Sequence, residues 1–176
     1  EEEVGLFEDA GEVPDPTSRT LASMLGAIGD DFVVSARDLQ RVKNMLNSPQ
    51  AQELIPSDVE FLFSSKPDGP EGNEYYRMFL VREKSEMTGH MIEDAFVSIG
   101  QSIEYMGQPI VNFTTTDEGV RRFARITGSH IGDRMAIVMD GSVYSAPTIQ
   151  SKITEGRGII TGSGTQEEAR DLAIVL

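Results

Sequence analysis

The 176-residue chain carries 29 acidic against 15 basic residues, a net charge of -14 at pH 7, with 39% apolar and 25% charged residues and no cysteine. This length suffices for one domain with a sizeable core, while the acidity argues against nucleic acid and anionic membrane surfaces, whose phosphates need Lys and Arg. Lack of cysteine excludes disulfides, thiol chemistry and zinc thiolate sites, no apolar run approaches the roughly eighteen residues of a membrane span, and Glu1-Glu2-Glu3 is no secretory signal.

In chain order, residues 1–16 are acidic and broken by Gly11, Pro14 and Pro16, which predicts a poorly ordered terminal segment with a short strand at 4–7. From residue 17 onward a single domain is expected. Thr17 or Ser18 is placed to cap a helix over Leu21, Met24, Leu25 and Ile28 that Gly29 closes. Ser35-x-x-Asp38 opens a second helix with Leu39, Val42, Met45 and Leu46 on one face, and Ser48-Pro49 opens a short third one that Pro56 ends. Residues 59–63 and 75–81 read as strands of a hairpin around the turn-rich loop 66–73. A strand at 95–99, the turn Gly107-Gln108-Pro109 and a strand at 110–114 follow.

Thr115-Thr116-Asp117-Glu118 supplies a helix cap with acidic residues in the first turn. Val120, Phe123, Ala124, Thr127 and Ile131 then form an apolar stripe, with Arg121, Arg122 and Arg125 facing away and Gly132 as the stop. The apolar run 135–139, the hairpin signal Asp140-Gly141 and a return strand at 143–146 precede Pro147. A glycine-rich strand closes the region, and Thr165-x-x-Glu168 is a capping box for a last helix with Ala169, Leu172, Ala173 and Leu176 on one face. These elements predict an α+β fold: a mainly antiparallel sheet of six or seven strands with helices packed on one face.

The run from Val111 to Gly162 closely resembles the SecD family, membrane subunits of the bacterial protein-export machinery. The positions that carry the resemblance are Phe113, Thr114, Gly119, Ile131, Gly132, Asp140, Gly141, Ser145, Ala146, Pro147, Ile149, Gln150, Gly156, Gly158 and Gly162, with Thr88-Gly89, Asp94-Ala95 and residues 168–173 on either side. Together they span about half the chain. The resemblance implies the head part of an extracytoplasmic, periplasmic domain of an inner-membrane protein that engages unfolded preprotein during proton-motive-force-driven export. It also implies SecF and the SecYEG channel as partners through the full-length protein, and no enzymatic activity. Residues 35–56 match nothing in the family pattern, which marks them as a helical insertion. The alternative is a stand-alone acidic hydrolase or ligand-binding domain with only local similarity to SecD.

The residues themselves point to no catalytic group, cofactor or metal. His90 and His130, the only imidazoles, sit beside turn signals and lack the spacing a metal needs. The run 161–165 precedes a helix N-terminus but lacks a Gly-Lys-Ser/Thr ending, and Glu167 and Glu168 would repel a phosphate. Asp117 and Glu118 suit a helix dipole, Asp140 suits its turn, and Ser145 is not in a nucleophile elbow. The concentration of aromatic residues in one hairpin stands out: Phe61, Phe63, Tyr75, Tyr76 and Phe79. Alternation puts Val59, Phe61 and Phe63 on one face and Leu62 on the other. Core packing explains much of the set, and the functional expectation is that these five residues bind extended apolar peptide, with strand addition at an exposed edge.

Overall fold

In the computed structural model, which describes residues 19–103, 105–161 and 165–176, the first regular element starts at Thr20. Its hydroxyl accepts from the Ser23 amide at 3.3 Å and caps a single turn, α1 (Leu21–Met24). The expected disordered segment 1–16, the strand at 4–7, the caps Thr17 and Ser18 and the glycines of 162–164 lie outside the described residues.

The chain does not stay helical to Ile28, as its apolar spacing predicts. Residues Leu25–Ile28 form β1, paired antiparallel with β2 (Asp31–Ser35) across the two-residue turn Gly29-Asp30. Gly29 has φ +59°, so the glycine read as a helix stop is a hairpin glycine. The competing influence is β2, whose Val33 and Val34 are stiff, β-branched and buried, and whose partner strand is the segment that would have continued the helix. Ser35 ends β2 instead of capping α2 (Leu39–Leu46), where Asp38 stands at the N-cap and pairs with Arg19 at 3.1 Å. Ser48 caps the one-turn α3 (Pro49–Gln52) as expected, accepting from the Ala51 amide at 3.3 Å.

The hairpin of β3 (Val59–Ser64) and β4 (Tyr75–Arg82) leads through a 3-10 turn at Gly89–Met91 to β5 (Ile92–Ile99) and β6 (Pro109–Thr115). Helix α4 (Asp117–Ser129) is capped by Thr116, and α5 (Gln166–Val175) by a complete Thr165/Glu168 capping box. Between them lie β7 (Ile137–Met139), β8 (Ser142–Ser145) and β9 (Arg157–Ile160). Asp140 and Gly141 take φ +48° and +70° in the β7–β8 turn, the conformation an Asp-Gly hairpin demands. Ile131 falls outside the expected α4 stripe: the helix ends at Ser129, and Gly132 turns the chain at φ +92°.

The fold is α+β and mainly antiparallel. Six strands form one sheet in the order β1-β2-β4-β3-β8-β7, in which only β3 and β8 run parallel, and β5-β6-β9 form a second sheet. The register pairs Phe63 with Met78, Phe61 with Leu80, and Val34 with Tyr76, so these side chains share one face. Met24 of α1 and Val42 and Leu46 of α2 pack on that face against Val34, Phe63 and Met78. The second core places Val111, Phe113 and Ile160 of the smaller sheet against Phe123 of α4 and Ala169 and Leu172 of α5. Phe113 and Phe123 meet edge to face, with ring centroids 5.8 Å apart at 66°. Full burial of a side chain of this kind stabilises by about 1.5–3 kcal/mol.

Candidate functional site

Phe79 and Val81 alternate with Met78 and Leu80 and therefore occupy the face of β4 opposite the helices. Across from them is the second core, and between the two lies a groove with a volume of about 830 Å³. Three methionines, Met87, Met135 and Met139, pack against that core and line the groove, together with Ile126, Ile149 and Ile160. Val138 and Val175, both exposed, also line it. An unbranched thioether side chain adapts its shape at low cost.

Asp31 and Arg134 bring charge into the lining of the groove. Asp31 accepts from Nη1 of Arg77 at 2.6 Å and also pairs with Nη1 of Arg134, while Arg77 Nε donates to Asp68 at 2.8 Å. Burial alone would raise the Asp31 carboxyl, but the hydrogen bonds and charges of Arg77 and Arg134 together outweigh it and hold it below the ordinary carboxylate range. Asp68, and then Asp31, hold the Arg77 guanidinium above its own usual range. The Arg134 guanidinium lies over the Phe79 ring at 5.2 Å and its Nε donates to the Ala146 carbonyl at 3.1 Å.

The five aromatic residues of the hairpin are not gathered at one site. Phe63 is buried beneath α2, with Lys43 above its ring at 5.4 Å, and Phe61 and Tyr76 are half-buried against the same core. Tyr75 pairs with Asp68 through backbone hydrogen bonds, and its ring closes on Gly69. Phe79 alone of the five lines the groove. Each strand of the hairpin is paired on its outer side over part of its length: β2 covers 75–78 of β4, and β8 covers Phe63 and Ser64 of β3. Met87, Met135, Met139 and Val138 escaped the sequence reading as groove residues; the last three had one signal, a run of large apolar residues ending at the Asp-Gly turn, and Met87 had none.

The groups weighed for chemistry have ordinary surroundings. His90 Nδ1 lies 2.8 Å from the Thr88 hydroxyl and His130 Nδ1 lies 2.9 Å from Asp133 Oδ2. Asp117 and Glu118 occupy the first turn of α4. Among the described residues no group of three or more His, Asp or Glu gathers to hold a metal ion, and no helix is long and apolar enough to cross a membrane.

Residues 62–176 match the family described as SecDF, P1 head subdomain. The chain is 36% identical over 173 residues to the protein translocase subunit SecD of Rhodothermus marinus, a match covering 94% of this chain and 27% of that protein. It is 43% identical over 122 residues to SecD of Magnetococcus marinus, covering 69% of this chain and 22% of that protein. A crystal structure of SecDF in a super-membrane-facing form is similar with a TM-score of 0.50 at 39% identity, over 54% of this chain and 12% of that one. The chain thus spans roughly a quarter of the length of these curated relatives.

Proposed function

The chain belongs to the SecDF P1 head family, and from that premise we propose that it engages unfolded preprotein segments in its apolar groove during export. The observation that carries this reading is the groove itself, about 830 Å³, walled by Phe79 and Val81 on one side and methionines on the other. Exported chains differ in sequence, so a surface that captures and releases them has to tolerate many side chains, and flexible thioethers meet that need. Of the aromatic set, Phe79 makes the contact, while Phe61, Phe63, Tyr75 and Tyr76 hold the wall in place.

The same proposal places the unit on the periplasmic side of the inner membrane and gives it SecF and the SecYEG channel as partners through the rest of the subunit. Proton coupling belongs to those other segments, and no residue here is given a proton-carrying or catalytic part. In this proposal residues 17–176 act as one head unit, with 35–56, which carry α2 and α3, as a helical insertion. Titration of the chain with an unfolded preprotein segment tests the reading. Amide shifts confined to groove residues are expected, and no shift at millimolar peptide would refute it.

A further inference from the structure

We infer that the groove takes its ligand as an added β-strand on the open edge of β7, and that the preferred ligand is an extended segment alternating apolar residues with Lys or polar ones. This rests on the reading of the groove as a peptide site and specifies how the peptide is held.

Among the described residues the six-stranded sheet ends at β7, which is paired only with β8. Met139 and Ser142 flank the two-residue Asp140-Gly141 turn and form the pair that exchanges both hydrogen bonds, so the next pair, Val138 and Val143, directs its backbone groups outward. The structure verifies this on the β8 side, where the Val143 carbonyl accepts from the Ser65 amide at 2.9 Å. By the same geometry the Val138 amide and carbonyl point away from β8, at the free edge, beside the groove that Val138 lines. An outward amide and carbonyl on one residue are what an extended polypeptide pairs with.

Strand β7 is short and has a register irregularity between Ile137 and Val138, but it lacks two usual protections of an edge, charge and proline. Its sequence Ile-Val-Met carries no charge and no proline, whereas the free-edge strands of the smaller sheet carry Glu93 and Asp94 in β5 and Arg157 in β9. At the other end of the large sheet, β1 contributes no residue to the groove. Ile137 packs against the second core with Met135 and Met139, so a strand laid beside β7 sends every second side chain toward the same methionines and the others to solvent. The net charge of -14 disfavours Asp or Glu at the solvent-facing positions and favours Lys.

The test uses the whole chain and a ten-residue peptide alternating valine with lysine and serine, together with the same peptide N-methylated at alternate residues to remove the donors of one edge. Binding of the parent with a downfield shift and slowed exchange of the Val138 amide, and at least ten-fold weaker binding of the N-methylated form, is expected. Val138→Pro, which removes an amide the β7–β8 ladder does not use, is expected to lose the same factor, while Val138→Thr keeps it. Equal binding of both peptides would overturn strand addition and leave side-chain capture in the groove standing. No binding of the parent peptide would overturn both. The N-methylated peptide decides the question even where Val138→Pro fails to fold.

Discussion

Asp31 and Arg134, 103 residues apart in sequence, form an ion pair that ties the second strand of the large sheet to the loop leading into β7. Arg77 completes the arrangement from β4, so one carboxylate is held by two cations from different parts of the chain. Both members of the pair line the groove, and Arg134 lies over Phe79.

Asp31→Asn is therefore expected to destabilise the fold at pH 7 by about 1–3 kcal/mol, because the Asp31 side chain is only 14% exposed and its hydrogen bonds are charge-assisted. The folded-state pKa is depressed, so the carboxylate's contribution is fully present above the unfolded value of about 3.9 and is lost as pH falls through the folded one. Urea unfolding of both proteins between pH 7 and pH 3 should show a gap that is constant down to about pH 5 and narrows below about 4.

Two glycines of α4 should respond oppositely to alanine. A β-carbon at Gly119 would lie 2.7 Å from the Met91 carbonyl oxygen and 2.7 Å from Thr115 Cβ, whereas at Gly128 the nearest atoms, at 3.2 Å and beyond, belong to the flexible Lys152 side chain. Helix propensity favours alanine at both by about 1 kcal/mol. Gly128→Ala should be neutral or stabilising, and Gly119→Ala should cost about 1–3 kcal/mol through overpacking against backbone. Thermal melts of the pair, read by circular dichroism, check the difference in sign.

Thr165→Ala removes a hydroxyl that accepts from the Glu168 amide at 3.2 Å, while the Glu168 carboxylate accepts from the Thr165 amide at 3.2 Å and also pairs with Lys66. A loss of about 0.5–2 kcal/mol is expected. Hydrogen exchange should show the opening concentrated in the first turn of α5, with α4 unaffected.

For the proposed peptide site, Phe79→Ala should weaken binding of an unfolded apolar segment by about five- to ten-fold, as truncation of an aromatic anchor does. Tyr75→Ala, outside the groove, should leave it within about two-fold. Fluorescence anisotropy with a labelled peptide measures both, and equal losses would point away from the groove.

Much of the architecture is written locally. Caps at Thr116, Ser48 and Thr165, the Asp140-Gly141 turn and the β3–β4 hairpin each depend on residues within a few positions of one another, where side-chain oxygens meet nearby amides and a positive φ selects its residue. The glycines that carry the family resemblance have equally local meaning: at Gly158 a β-carbon would lie 2.5 Å from the Phe113 ring, and at Gly156 2.4 Å from Thr115 Oγ1. What the chain order leaves open is which strands become neighbours. Leu25–Ile28 became a strand because β2 was there to pair with it, and the smaller sheet separated because β9 joined β6. Parts of the hairpin's outer edges were taken up by β2 and β8, and the groove formed where two distant faces came together around Asp31 and Arg134. Such contacts are made by free energies summed over residues far apart in sequence, which no single stretch encodes; composition and spacing determined the pieces, and long-range packing decided the site.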